Sequence, residues 1–85
     1  MGADELPRDP RELCAYLVRG LVDAPEAVEV IEERRDGGVL LRVRVADDDR
    51  GKVIGRQGRV VRALRTVVRA GGLRTGERLL VEIDE

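Results

Sequence analysis

Val53-Ile54-Gly55-Arg56-Gln57-Gly58-Arg59-Val60-Val61-Arg62 sets two glycines around two polar residues, between a short apolar segment and a long amphipathic one. Glycine reaches backbone conformations that a Cβ disfavours, so Gly55 can end one helix and Gly58 can open the next within a four-residue turn. Amides at the start of the second helix have no partner inside it and lie at its positive end, where an anionic phosphate can approach the backbone. Arg56 adds charge, and Gln57 adds a donor and an acceptor. Glycines at this spacing also serve as plain helix punctuation, so the flanking residues decide between the two uses. A nucleoside-triphosphate loop is excluded, because it needs a longer glycine loop ending in Gly-Lys and a hydroxyl residue.

Downstream, Val60, Val61, Leu64, Val67 and Val68 share one arc of a helical wheel, and Arg59, Arg62, Arg65 and Arg69 share another. This predicts an amphipathic helix over 59–70, stopped by Gly71-Gly72. Residues 78–83 then read as a strand with Leu79, Val81 and Ile83 facing inward. Upstream, 50–54 reads as a short helix, with one of Asp47, Asp48 and Asp49 capping its amides and all three favouring its positive end. A metal site built from these carboxylates is set aside, since adjacent side chains diverge on a turn and no oxygen ligands follow at a calcium-loop spacing.

Before that lies a period-two segment, 39–45, with Leu41, Val43 and Val45 on one face and Leu40, Arg42 and Arg44 on the other. Asp36-Gly37-Gly38 supplies a tight turn, and 27–35 reads as an edge strand paired antiparallel across it. A first helix is expected over 10–22, with Asp9 as N-cap, Pro10 at the first helical position and Glu12 three residues after the cap. Leu13, Cys14, Leu17, Val18, Leu21 and Val22 form its apolar face, and Asp23-Ala24-Pro25 ends it.

The order helix, strand, strand, short helix, helix, strand predicts an α+β domain. A connection holding two helices is long enough to make the last strand parallel to the second, and a right-handed crossover stacks those helices on one face. The first helix covers the same face, leaving three strands backed by three helices. The other face, with Glu29, Arg42, Arg44, Glu82 and Asp84, meets water. At 85 residues the chain has room for one core, so 10–85 is expected to be one domain and 1–9 a flexible lead-in.

Hydrophobic residues at 42% and charged residues at 39% suit a foldable chain rather than a disordered one. No apolar run approaches the roughly 20 residues of a membrane span. The first ten residues place two acids before the first base and hold no apolar stretch, which argues against a secretory signal and for a cytoplasmic location. The chain has no His, Ser, Asn, Trp or Phe, a single Tyr and a single Cys. Most nucleophile–base pairs, a zinc set and an internal disulfide are thereby excluded. No spacing implies a pocket for a carboxylate pair, so neither enzymatic activity nor a cofactor is expected. Net charge is −1, yet its distribution is uneven. Residues 1–49 carry 7 basic and 13 acidic side chains, 50–76 carry 8 basic and none acidic, and 77–85 carry 1 and 4. The middle window is a local positive field that the average conceals.

The stretch Val53 to Arg62 resembles the core of KH domains, V-I-G-x-x-G followed by an amphipathic helix, a motif that clamps about four nucleotides. The element order matches the type II KH topology over about residues 10–84. Gly51-Lys52-Val53-Ile54-Gly55-Arg56-Gln57-Gly58-Arg59 and Arg65-Thr66-Val67-Val68 are similar to the stand-alone bacterial KH proteins of the KhpA (YlqC) family. That resemblance implies a single-stranded RNA-binding protein, an RNA chaperone or post-transcriptional regulator. It implies action as a homodimer or with a larger KH-containing RNA-binding partner, and a link to cell shape, division and envelope homeostasis. Lys52, Val53, Ile54, Gly55, Arg56, Gln57, Gly58, Arg59 and Arg62 are the expected RNA-binding residues, with aliphatic groups near Ile54 and the central strand receiving the bases. By position, Asp36-Gly37-Gly38 corresponds to the variable loop that borders the groove. The competing reading is a protein-interaction module whose 59–70 helix pairs with another subunit and whose RNA contact is secondary. A membrane-surface role for the same arginines is disfavoured, because the apolar arc lacks an aromatic anchor and is needed to cover the sheet.

Overall fold

The computed structural model describes residues 6–84, without the side chains of 73–75. Residues 1–5 of the expected lead-in lie outside the described residues. The elements are α1 (Pro10–Arg19), β1 (Glu29–Arg35), β2 (Gly38–Arg44), α2 (Arg50–Ile54), α3 (Arg59–Thr75) and β3 (Leu79–Ile83). Single 3-10 turns occupy Pro25–Ala27, Asp47–Asp49 and Arg56–Gly58. Strand order is β1-β2-β3, with β1 antiparallel and β3 parallel to the central β2. The domain is α+β with the type II KH arrangement, three helices against one face of a mixed three-stranded sheet.

Alternation sets that face. Val39, Leu41 and Val43 of β2 are at most 3% exposed, and Val30, Leu79 and Val81 on the neighbouring strands join them. Cys14 and Val18 of α1, Val53 of α2, and Leu64 and Val68 of α3 close the core from above. Leu40 points the other way yet is only 5% exposed. Its register partners are Leu80 and Glu33, and Glu33 gathers Arg35 and Arg42 at 3.1 Å each. Among the described residues no helix is long and apolar enough to cross a membrane.

Two boundaries depart from the sequence pattern. α1 ends at Arg19 rather than near 22, because Gly20 caps it and Leu21, 40% exposed, lies beyond the last turn. The chain must turn there to bring the amides of Asp23 and Ala24 onto Asp49. α3 runs through Gly71-Gly72 to Thr75 and stops at Gly76, which adopts a left-handed conformation with its N–H on the Gly72 carbonyl. Gly72 is needed for close approach: a Cβ there would stand 2.7 Å from Leu79 Cδ1 and 2.8 Å from the Glu77 carbonyl. The Asp36-Gly37-Gly38 turn shares a cleft with Gly76, Glu77 and Arg78. It therefore lies at the end of α3 opposite the 55–58 loop.

Candidate nucleic-acid interface

Val53 has no exposed surface and ties α2 to the core, so of the two apolar residues before the loop only Ile54, 37% exposed, reaches solvent. Gly55 ends α2 with φ 77° and ψ 171°, its N–H on the Gly51 carbonyl at 2.8 Å. A Cβ on Gly55 would stand 2.4 Å from Val60 Cγ2 and 2.9 Å from the Val60 nitrogen. The loop thus folds back onto the first turn of α3 at a distance only glycine allows. Gln57 (φ 57°) and Gly58 (φ 73°) follow in left-handed conformations. Gln57 is the one non-glycine residue with positive φ among those described. That conformation costs about 1–2 kcal/mol in a residue with a Cβ, and such strain concentrates at functional sites.

The turn is closed by the Gly58 N–H on the Gly55 carbonyl at 3.1 Å and by the Arg59 N–H on the Arg56 carbonyl. The amides of Arg56 and Gln57 take no part in these closures and sit at the head of α3, a 17-residue helix whose positive end they extend. Arg56, Gln57, Arg59 and Arg62 are exposed, and Gly58 is half-buried. One Arg59 Nη donates to the Gln57 side-chain oxygen at 3.5 Å.

The cations fall into two groups. Arg34, Arg35, Arg42, Arg44, Arg50 and Lys52 each pair with a carboxylate, as does Arg11 at 4.0 Å. Arg56, Arg59, Arg62, Arg69 and Arg78 have no carboxylate within 4 Å among the described residues. For Arg56, Arg59, Arg62 and Arg69 this accords with the acid-free stretch 50–76, where no acid lies within a helical turn of them in sequence, whereas Arg50 and Lys52 in the same stretch reach carboxylates outside it. Carboxylate partners hold the Arg34 and Arg44 guanidiniums above their ordinary pKa, chiefly through the hydrogen bonds these donate to Glu77 and Asp84 respectively.

Lys52 belongs to the paired group. Its ammonium donates to Asp23 and, at 3.1 Å, to Asp49, and these hydrogen bonds hold its pKa above the ordinary lysine value. Asp49 is 2% exposed. Its two oxygens accept from the Asp23 N–H at 3.1 Å and the Ala24 N–H at 3.0 Å. The Asp23 amide first, then Lys52 and the Ala24 amide, hold its carboxyl below the usual range against the opposing effect of burial. The expected cap of α2 is absent: Asp49 makes no side-chain bond to that helix's amides, and Asp47 pairs with Arg50 at 2.7 Å. Asp49 is a positioning residue that sequence reasoning missed, because its partners lie 25 and 26 residues away.

β3 contacts both α2 and α3, the helices that flank the loop. The Val39 N–H bonds the Arg78 carbonyl and the Asp84 N–H bonds the Val43 carbonyl, so alternate β3 residues serve β2 and the backbone of Leu79, Val81 and Ile83 faces outward. Arg65 Nε donates to the Val81 carbonyl on this free edge at 3.1 Å. The central strand cannot receive bases as expected, because its inner side chains are sealed beneath the helices; β3 supplies the open edge. Arg65 joins the arginine flank of α3 to the β3 edge, and α2, which carries Ile54, also contacts β3.

The family model described as KhpA/KhpB, KH domain, matches residues 11–83. The chain belongs to that family. A relative from Streptomyces coelicolor is 51% identical over 73 residues, covering 86% of this chain and 92% of its own. One from Caldanaerobacter subterraneus is 44% identical over 72 residues (85% and 96%), and one from Bacillus subtilis is 42% identical over 72 residues (85% and 89%). All three are named RNA-binding protein KhpA, a name that denotes binding rather than catalysis. Among solved structures, Era from Aquifex aeolicus in a GDP complex aligns with a TM-score of 0.62 at 14% identity. It covers 93% of this chain and 31% of that one, a likeness of fold. The KhpA/KhpB match spans α1 through β3, so the loop, the α3–β3 flank and the Asp49 anchor all lie within the family's domain.

Proposed function

We propose that the protein binds single-stranded RNA by clamping its sugar-phosphate backbone with the 55–58 loop. The observation that carries this reading is the positive-φ turn at the head of α3, with the carboxylate-free Arg56, Arg59 and Arg62 beside it. The Arg56 and Gln57 amides and these arginines hold phosphates, which sets register. Bases lie against Ile54 and reach the β3 edge, where opening of the Arg65 contact frees the Val81 carbonyl to accept from an exocyclic amine. Val53 acts from beneath by anchoring α2. Lys52 reaches phosphate only by exchanging Asp23, so it contributes less than the three arginines. The naming of close relatives as RNA-binding proteins supports the assignment.

The test is titration of labelled single-stranded RNA with the double variant Arg56→Asp, Gln57→Asp. Both side chains are exposed, so circular dichroism should report an unchanged fold and stability within about 1 kcal/mol. Binding should be lost or greatly weakened, with any residue less salt-dependent than the parent by about 0.7 per lost phosphate contact. A folded variant that binds as well as the parent would remove the clamp. Pairing with a second KH chain is a further reading, favoured by Val67 on α3 and Leu21, which are 46% and 40% exposed. Native mass at high and low salt tests it, because an apolar contact survives salt that releases RNA.

A further inference from the structure

The clamp proposed at the loop uses only Arg56, Arg59 and Arg62 of the arginines without a carboxylate partner. Arg62, Arg65 and Arg69 recur at spacings of three and four, which puts them on one flank of α3. The Arg65 bond to Val81 fixes that flank against the free edge of β3. Arg69 lies about 15 Å along the helix from Arg59 at 1.5 Å per residue. There it shares a cleft of about 340 Å³ with Glu77, Arg78, Leu79 and Leu80. Arg78 also borders an adjoining cleft of about 240 Å³ that contains Leu40, Leu80 and Arg35. Arg69 and Arg78 are exposed and have no carboxylate partner among the described residues, whereas the acid in their cleft, Glu77, is matched by Arg34 at 2.7 Å. Leu80, 42% exposed, forms an aliphatic ledge between the two clefts.

We infer that Arg69 and Arg78 form a second phosphate-contact site for the same RNA strand, continuous with the loop along the α3–β3 flank, with Leu80 as a surface on which a base rests. Charge complementarity selects a polyanion, since the track is cationic from Arg56 to Arg78. An extended single strand suits the track, because its two ends, Arg56 in the loop and Arg78 before β3, are joined along one flank of α3 by Arg59, Arg62 and Arg69. The inference rests on the loop being an RNA clamp. It adds that the site is longer than the roughly four nucleotides such a clamp holds.

The test compares fluorescent single-stranded RNA of randomised sequence at two lengths, about five nucleotides and about twelve, within the range of single-strand site sizes. Proteins are the parent, the Arg69→Gln, Arg78→Gln variant, and the Arg56→Asp, Gln57→Asp variant. The parent should bind the longer RNA more tightly than the shorter. Loss of two contacts at roughly 0.7 each in the log–log salt slope predicts that Arg69→Gln, Arg78→Gln weakens the longer RNA by about tenfold near 0.15 M salt and flattens its slope by about 1.4. The shorter RNA should be unaffected. Equal binding of the longer RNA by this variant and the parent, or no gain with length in the parent, overturns the second site while leaving the loop intact. Undiminished binding of the shorter RNA by the loop variant overturns the clamp, and the second site with it.

Discussion

Replacing Gly55 with alanine separates the loop's backbone geometry from its charge. At φ 77° and ψ 171° the residue occupies a region essentially reserved for glycine, and entering it with a side chain costs about 1–3 kcal/mol. The new Cβ would also meet Val60 at 2.4 Å (Cγ2), 2.8 Å (Cβ) and 2.9 Å (backbone nitrogen), an overpacking of about 1–3 kcal/mol. Gly58→Ala is the internal control. It shares the positive φ, but its nearest contact would be Val61 Cγ1 at 3.9 Å, so only the left-handed cost of about 1–2 kcal/mol applies. An 85-residue domain has about 4–13 kcal/mol of stability in all. With about 4–8 °C per kcal/mol at this size, Gly58→Ala should lower Tm by about 4–16 °C. Gly55→Ala should lower it by roughly 20 °C or prevent folding. Adding Val60→Ala to Gly55→Ala should restore only part of the loss, since the Val60 Cβ and nitrogen remain in place. The assay is urea and thermal unfolding followed by circular dichroism. A Gly55→Ala protein no less stable than Gly58→Ala would refute the close return of the loop onto α3, and complete rescue by Val60→Ala would refute the backbone contribution.

Asp49→Asn should destabilise the protein most at neutral pH. A carboxyl held low in the folded state contributes stability above its unfolded pKa, near 3.9, and loses it as pH falls through the lower folded value. Urea midpoints of parent and variant should therefore differ clearly near pH 7 and converge below about pH 4; a constant gap would contradict the ionic role. Cys14 is fully buried, and burial pushes its thiol up to about 11. A disulfide reagent at neutral pH should react slowly with the native protein and quickly in denaturing urea, and fast native labelling would place Cys14 nearer the surface. A chelator should leave Tm unchanged, because Asp47 is paired with Arg50 and Asp49 is committed to the 23–24 amides. A large drop would bring back the metal reading of Asp47-Asp48-Asp49.

Local periodicity was enough for the element order, for the faces of β2 and β3, and for the glycine-flanked turn. These depend on alternation, on helical spacing and on which residues tolerate positive φ, all properties of neighbouring residues. The acid-free stretch 50–76 likewise marked a local positive field, although Arg50 and Lys52 within it found carboxylates outside it. Tertiary structure decided the rest, and in each case the determinant was a partner far along the chain. Gly71-Gly72 looks like a helix stop, yet α3 passes through because the Leu79 side chain requires a residue without Cβ at 72. Asp49 looks like a helix cap, yet it is drawn inward by two amides that reach it only after α1 has turned at Gly20. Val53 and Ile54 are equally apolar neighbours, and only packing distinguishes the anchor beneath the loop from the wall beside it. Lys52 reads as one more cation for phosphate until folding brings Asp23 to its ammonium. Hydrogen bonds, ion pairs and steric exclusion act over a few ångströms regardless of sequence separation, so their partners are named only once the chain has closed on itself.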